Sequence, residues 1–152
     1  MQLQDRRTPC VGICSTTYGD LICRGCKRFA HEIVSWNGYT VQQRGRIWQR
    51  LEQVRDGCIE AHLTIFDESR LRDHGAGTAV PPGVSLLPGG SLLSVAYESL
   101  SQAPPEVSLD MLGIRPLEPT HAARTVLREA IDQEFYRRSV AHYERNFKTS
   151  LA

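Results

Sequence analysis

The sequence predicts a mainly α-helical fold: a small four-cysteine module and a helical hairpin, then a proline-rich irregular strap, then a long C-terminal helix. Apolar residues recur at helical spacing over much of 28–62. Residues 120–148 contain neither Gly nor Pro, the residues that break helices. Between these regions, residues 75–119 hold seven of the eight prolines and half of the glycines. The predicted segments are 1–62, 63–119 and 120–152.

The strongest chemical signal is a cluster of cysteines in residues 10–26, which we call the cysteine module. Four of the five cysteines lie there, with the spacing C-x3-C-x8-C-x2-C. Two close pairs joined by a short loop can bring four thiolate sulfurs to one tetrahedral point. The pattern therefore predicts a metal site with four ligands: Cys10, Cys14, Cys23 and Cys26.

Other uses of these cysteines fit the sequence less well. A redox C-x-x-C pair normally lies at a helix N-terminus after a strand, and no strand pattern precedes Cys23. Four thiolates suit both zinc and an iron–sulfur cluster. Zinc would also stabilise a segment that has little core of its own. From the chemistry we favour one structural zinc ion, with an iron–sulfur cluster as the alternative.

Two helices are predicted to follow the cysteine module. The first, 28–36, places Phe29 and Trp36 on one face. Thr40 is a suitable N-cap for the second helix, because its hydroxyl can accept a hydrogen bond from the first helical turn. That helix, 41–62, has an apolar stripe opposite a mostly charged face. We expect the two helices to pack as a hairpin with both tryptophans between them.

The segment 63–119 is predicted to be an irregular strap. It carries too many apolar residues to act as a flexible Gly/Ser linker. Residues 84–95 are nearly symmetric about Pro88-Gly89-Gly90 and could form a small hairpin. Their alternation is poor, and two strands alone are marginally stable, so an extended strap over the helices is favoured.

The C-terminal helix, 120–148, has two apolar sets that lie on different sides. The sets are Val126, Leu127, Ile131 and Phe135, then Tyr136, Val140, Tyr143 and Phe147. A straight helix would expose one set, so the pattern indicates either a bend near Arg137-Arg138 or contacts with two partners. Packing against the strap is favoured over an exposed binding face.

No other side chains form a convincing site. His31 could replace one thiolate, but four cysteines already suffice. Cys58 lies on the apolar face of the second helix and is expected to be a core thiol. The sequence contains no Gly-rich phosphate loop, no Ser/His/Asp arrangement and no convincing carboxylate pair. We therefore predict no catalytic and no further cofactor-binding residues, and we lean against an enzyme.

The N-terminus lacks the apolar core of a secretory signal peptide, and no apolar run approaches the ~20 residues of a membrane helix. We expect a cytoplasmic protein without a membrane, in which thiols stay reduced. The net charge of +1 gives no argument for nucleic acid. The basic residues that would contact it are Arg24, Lys27, Arg28, Arg44, Arg46 and Arg50. In the second helix the arginines are also interleaved with Glu52, Asp56 and Glu60.

Residues 8–51 resemble the DUF1289 family, small bacterial proteins of undetermined function that are usually described as predicted Fe–S proteins. The positions that carry the resemblance are Pro9, Cys10, Cys14, Cys23, Gly25, Cys26, Arg28, Glu32, Ile33 and Trp36. Phe29 replaces the usual Thr, and Gly19 stands four residues before Cys23 where the family more often has Gly two before. Neither departure removes a ligand. The resemblance implies a metal centre and leaves zinc and iron–sulfur open.

The function predicted from these observations is a non-enzymatic, zinc-binding adaptor or regulatory protein that contacts a protein partner through its helical surfaces. The alternative is an iron–sulfur protein for electron transfer or for sensing redox state or iron. A nucleic-acid-binding module ranks third.

Overall fold

The fold is mostly α-helical, as predicted, with one small two-stranded sheet. A computed structural model describes residues 8–10, 14–74 and 92–148. The helices are α1 Ala30–Ser35, α2 Val41–His62, α3 Glu68–His74, α4 Leu92–Gln102 and α5 Arg124–Tyr143, and the strands are β1 Leu63–Ile65 and β2 Ile114–Pro116. Short helical turns lie at Ser15–Tyr18, Trp36–Gly38, Pro119–His121 and Glu144–Lys148. None of the described helices is long and apolar enough to cross a membrane.

The chain packs as two compact units. The first unit contains the described residues up to Val54 together with those from Glu134 onward. The second unit is Arg55–Gln133. The division into 1–62, 63–119 and 120–152 stays a prediction.

Helix α2 begins and ends where the sequence predicts. The Gln43 backbone N–H donates to Thr40 Oγ1 at 3.1 Å, and the Thr40 N–H donates to Gln43 Oε1 at 2.9 Å. This reciprocal pair satisfies two backbone donors at the start of the helix and confirms Thr40 as its N-cap. Helix α1 is shorter than the predicted 28–36, because Phe29 has an extended backbone and occupies the N-cap position.

The prediction of an irregular strap over 63–119 is wrong for the described part of that segment. Strands β1 and β2 pair antiparallel, with Thr64 opposite Arg115. Helices α3 and α4 follow β1 and precede β2 in the chain. The predicted symmetric stretch 84–95 lies largely outside the described residues, and its last four residues form the first turn of α4. The prolines dominated the prediction, although residues 92–102 themselves contain neither Pro nor Gly.

The turn before β2 depends on Gly113. Its φ of 71° lies in the left-handed region, and its carbonyl accepts a hydrogen bond from the Phe66 N–H at 2.8 Å. A Cβ at this position would lie 2.2 Å from the Asp67 carbonyl oxygen. Glycine is therefore required both by the backbone conformation and by the close approach of the 66–67 backbone.

The core of the second unit forms around α2, α4, α5 and the small sheet. Cys58 is fully buried, as expected for a core thiol. The other core side chains that are at most 3% exposed are Ile59, Leu63, Leu71, Ala96, Leu100, Leu112, Ile114, Leu127 and Ile131. Leu127 and Ile131, two members of the first apolar set of the C-terminal helix, pack inside this unit.

Replacing Arg124 by Ala is expected to destabilise the second unit by about 2 kcal/mol. The Arg124 guanidinium donates to the carbonyl oxygens of Ala103, Pro104 and Val107, each at 2.8 Å. These hydrogen bonds satisfy acceptors just after α4, and a methyl group cannot replace them. Urea unfolding followed by circular dichroism measures the loss. Arg72→Ala, which removes an exposed ion pair with Glu68, should cost below about 1 kcal/mol; equal losses in the two variants would contradict the role of Arg124.

Candidate metal centre

The second cysteine pair lies in a tight turn closed by backbone hydrogen bonds. The Cys23 N–H donates to the Arg28 carbonyl, and the Lys27 N–H donates to the Cys23 carbonyl, both at 2.9 Å. Ile22 and Phe29 form an antiparallel bridge just outside the turn. The closure places Cys23 and Cys26 within hydrogen-bonding distance of each other through their side chains. We call residues 23–28 the cysteine turn.

Lys27 holds the cysteine turn from inside. Its φ of 66° is in the left-handed region, which costs a non-glycine residue about 1 kcal/mol. Its side chain is buried, and Nζ donates to the carbonyl oxygens of Arg24 at 2.6 Å and Gly25 at 3.0 Å. These two hydrogen bonds offset the backbone strain and fix the conformation of the two residues between the cysteines.

Backbone N–H groups converge on the Cys23 sulfur. Burial alone would raise the pKa of this thiol, but the N–H groups of Cys26, Ser15 and Gly25 and the Cys26 thiol donate to it and lower the pKa to about 7. Hydrogen bonds to sulfur stabilise the thiolate, which is the form that binds a metal. The cysteine turn and Ser15 therefore favour the thiolate form of Cys23.

Cys26 is buried beside a guanidinium group. Burial raises the pKa of the Cys26 thiol, and the Arg28 side chain and backbone N–H oppose this rise by hydrogen bonding to the sulfur. Arg28 Nε donates to Cys26 Sγ at 3.4 Å, and its guanidinium carbon lies 4.9 Å from the centre of the Trp36 ring. Trp36 and Cys26 together hold the Arg28 charge next to the predicted ligand.

The first cysteine pair is tied to this turn through Ser15. Ser15 Oγ accepts a hydrogen bond from the Arg24 N–H at 2.8 Å, and the Ser15 N–H donates to the Cys23 sulfur. Cys14 is the neighbour of Ser15, and its Sγ lies 2.7 Å from Thr16 Oγ1. The segment that carries Cys14 is thus fastened directly to the cysteine turn.

The structure places the thiols of Cys23 and Cys26 next to each other and the Cys14 segment beside them. It does not bring all four thiols to one point. Cys10 is exposed, and its N–H donates to Thr8 Oγ1 at 3.3 Å. Residues 11–13 lie outside the described residues. Within 8–10, 14–74 and 92–148, no three His, Cys, Asp or Glu side chains form a group that could hold a metal ion. The four-cysteine ligand set stays a prediction.

His31, considered above as a substitute ligand, lies in an aromatic cluster. Its ring centre is 5.8 Å from that of Phe29 and 5.1 Å from that of Phe147. The Phe29 ring is also near the rings of Tyr143 at 5.2 Å and His142 at 5.9 Å. Burial lowers the pKa of His142, and the positive charges of Arg50 and Arg145 lower it further against the opposing effect of Glu32.

The end of the C-terminal helix packs against the cysteine turn, which the sequence analysis missed. The guanidinium of Arg24 lies 4.8 Å from the Tyr136 ring centre, and Lys27 Nζ lies 5.2 Å from that of Phe135. The expectation that the second apolar set packs on the strap is wrong for Tyr136, Tyr143 and Phe147, whose ring contacts lie within the first unit. The sequence feature that could have indicated this packing is the position of the second apolar set on a different side of the helix from the first set.

Glu32 and Arg50 form the main ion pair of the first unit. Arg50 Nη2 donates to Glu32 Oε1 at 2.7 Å, and Arg50 Nη1 donates to Oε2. Glu32 Oε1 also accepts the Phe29 N–H at 2.8 Å, and the Arg50 guanidinium lies 4.2 Å from the Phe29 ring centre. Only 6% of the Glu32 side chain is exposed. The pair therefore ties α2 to the start of α1 immediately after the cysteine turn.

The surroundings of Cys23 and Cys26 suit thiolate ligands. Four thiolates on a divalent ion leave an excess of negative charge. Lys27 and Arg28 are both buried and belong to the turn that holds two of the predicted ligands. Hydrogen bonds and cations around the sulfurs are typical of the outer shell of thiolate metal sites.

Comparison with known proteins finds a family match for the segment that contains the cysteine module. No curated protein and no solved structure matches the chain. Residues 8–55 match the model of the DUF1289 family, which is described as a protein of unknown function. This match confirms the resemblance predicted from the sequence for a limited part of the chain. The matched part contains all four predicted ligands.

Proposed function

We propose that this protein is a non-enzymatic zinc-binding adaptor or regulatory protein of the cytoplasm, with Cys10, Cys14, Cys23 and Cys26 as ligands. The observation that carries the proposal is the cysteine turn. It directs backbone N–H groups at the Cys23 sulfur and places the Arg28 guanidinium on the Cys26 sulfur. A metal-binding role is compatible with the DUF1289 match over 8–55.

In this proposal zinc acts as a structural cross-link. When bound, it supplies a four-coordinate centre that joins the two cysteine pairs. Cys23 and Cys26 hold it from the preformed turn, and Cys14 and Cys10 close the ligand set. Lys27 and Arg28 place positive charge beside the centre and would offset part of its negative charge.

The protein is proposed to act by binding a protein partner. Tyr18 is 84% exposed and Val34 is 85% exposed, and both lie in the DUF1289 segment. Tyrosine is among the residues enriched at surfaces that bind other proteins. Nucleic acid is a weaker proposal, because Lys27 and Arg28 are buried and Arg50 pairs with Glu32.

An iron–sulfur cluster is the second candidate, supported by the hydrogen bonds to the sulfurs. Such bonds raise the reduction potential of a cluster and stabilise its reduced form. The Arg28 Nε to Cys26 Sγ contact and the N–H groups aimed at Cys23 would serve this purpose equally well. The two candidates therefore share ligands and differ in the metal.

Metal analysis of the full chain, purified both in air and without oxygen from cells supplied with zinc and iron, distinguishes the candidates. We expect about one zinc per chain and a colourless protein in both preparations. A brown oxygen-free preparation with stoichiometric iron and acid-labile sulfide would show that the site holds an iron–sulfur cluster and not zinc. A chain that holds neither metal would refute the metal site itself.

A further inference from the structure

The side chains that shape the cysteine turn are the same ones that contact the C-terminal helix. Lys27 Nζ holds the Arg24 and Gly25 carbonyls from inside the turn and lies 5.2 Å from the Phe135 ring centre. Arg24 stands between the two cysteines, and its guanidinium lies 4.8 Å from the Tyr136 ring centre. A change in the turn's backbone would therefore move both cations relative to the helix.

A second contact begins where the turn ends. Phe29 is buried and pairs with Ile22 across the base of the turn. Its ring centre lies 5.2 Å from that of Tyr143 and 5.5 Å from that of Phe147. Aromatic pairs at these distances are favourable beyond the apolar area that they bury. Residues 134–148 thus dock on the cysteine turn at both of its ends, and they lie outside the DUF1289 match.

A metal bound to Cys23 and Cys26 would add a restraint to the cysteine turn. Lys27 has a positive φ, and three cationic side chains occupy the six residues of the turn, at positions 24, 27 and 28. Fixing the sulfurs of Cys23 and Cys26 on one ion fixes the backbone between them, and with it the positions of Arg24 and Lys27. Without that restraint, the hydrogen bonds of Lys27 and of the backbone alone hold the turn, so the conformation that the helix contacts is less stable.

We propose that residues 134–148 form a metal-dependent docking element, which packs on the cysteine turn when the site is loaded and detaches when the metal is lost. Detachment exposes Phe135, Tyr136, Tyr143 and Phe147, so the metal state controls whether an aromatic surface is available. The inference rests on the proposed metal site. By thermodynamic reciprocity, helix docking strengthens metal binding by the same factor by which metal strengthens docking.

Hydrogen exchange measured by mass spectrometry on the full chain, zinc-loaded and after removal of zinc by a chelator, tests the docking. We expect exchange in 134–148 to become about tenfold faster or more without zinc. Exchange in α4, which belongs to the second unit, should stay within about twofold. Unchanged exchange in 134–148, or equal acceleration in α4, would overturn the proposal.

Zinc affinity measured by chelator competition tests the reciprocal effect. Tyr136→Ala is expected to weaken zinc binding by about tenfold. Arg137→Ala is the matched control, because this side chain is 67% exposed and pairs with Glu134 of its own helix; its zinc affinity should not change. Equal affinity in the Tyr136 variant and the unsubstituted chain would refute the coupling. Unchanged exchange in residues 41–54 of α2, which belong to the same unit as Tyr136, shows that this unit of the variant folds.

The two proposals fail in different ways. If the chain binds one zinc ion but 134–148 exchanges equally with and without it, the docking proposal falls and the proposed function stands. If the chain takes up no zinc, the proposed function falls and the docking proposal falls with it. Zinc content measured on the same samples separates these outcomes.

Discussion

Cys23→Ser is expected to abolish stoichiometric metal binding and to unfold the cysteine module. Structural zinc contributes on the order of 10 kcal/mol to the folding of small modules, and a hydroxyl is a poor replacement for a thiolate. The substitution also removes the sulfur on which the N–H groups of Ser15, Gly25 and Cys26 converge. Metal content should fall from about one per chain to near zero, and amide exchange in 14–28 should lose its protection.

Cys58→Ala is the control for this experiment. Cys58 is fully buried in the second unit and is not a predicted ligand. Its replacement should keep the metal and cost about 1 kcal/mol. If the Cys23 variant kept both its metal and the protection of 14–28, the tetrathiolate site would be wrong.

Glu32→Ala is expected to destabilise the first unit by about 3 kcal/mol. The variant leaves the Arg50 guanidinium, 20% exposed, without its bidentate carboxylate, and it removes the acceptor of the Phe29 N–H. The Phe29 N–H is buried and most of the Arg50 side chain is shielded from water, so solvent does not fully compensate either group. Trp36 and Trp48 both lie in the first unit, so urea unfolding followed by tryptophan fluorescence reports on that unit.

Two further variants test whether the loss comes from the ion pair. Glu68→Gln removes a carboxylate from an exposed pair with Arg72 and should cost below about 1 kcal/mol. The double variant Glu32→Ala with Arg50→Met removes both charges, so it should cost less than the sum of the two single variants. Additive losses would show that the two side chains act independently, contrary to the contact that the structure shows.

Local signals in the sequence predicted the parts of the fold that depend on local interactions. Thr40 and Gln43 lie three residues apart and form the capping pair that starts α2. The helical stretch 124–143 follows from the absence of Gly and Pro. Helix α4 was missed because prolines on both sides of 92–102 were given more weight than the helix-compatible sequence between them.

The sequence predicts four ligands, which stay a prediction, and it does not predict the surroundings that the structure shows around Cys23 and Cys26. The cysteine spacing indicates a thiolate metal site, because it limits which sulfur atoms can bind the same ion. It does not indicate that Lys27 adopts a positive φ and bonds two carbonyls of the cysteine turn. The contacts of Arg24 with Tyr136 join residues over a hundred positions apart in the chain. Such packing depends on the tertiary structure and leaves no local pattern.

X-ray absorption at the zinc edge on the full chain tests the central claim most directly. A tetrathiolate site predicts a first shell of four sulfur atoms at about 2.3 Å from zinc, with no nitrogen or oxygen shell at about 2.0–2.1 Å. The same spectrum of Cys58→Ala should be unchanged. A shell that contains nitrogen or oxygen in place of one or more sulfurs would contradict the assignment of Cys10, Cys14, Cys23 and Cys26 as the complete ligand set.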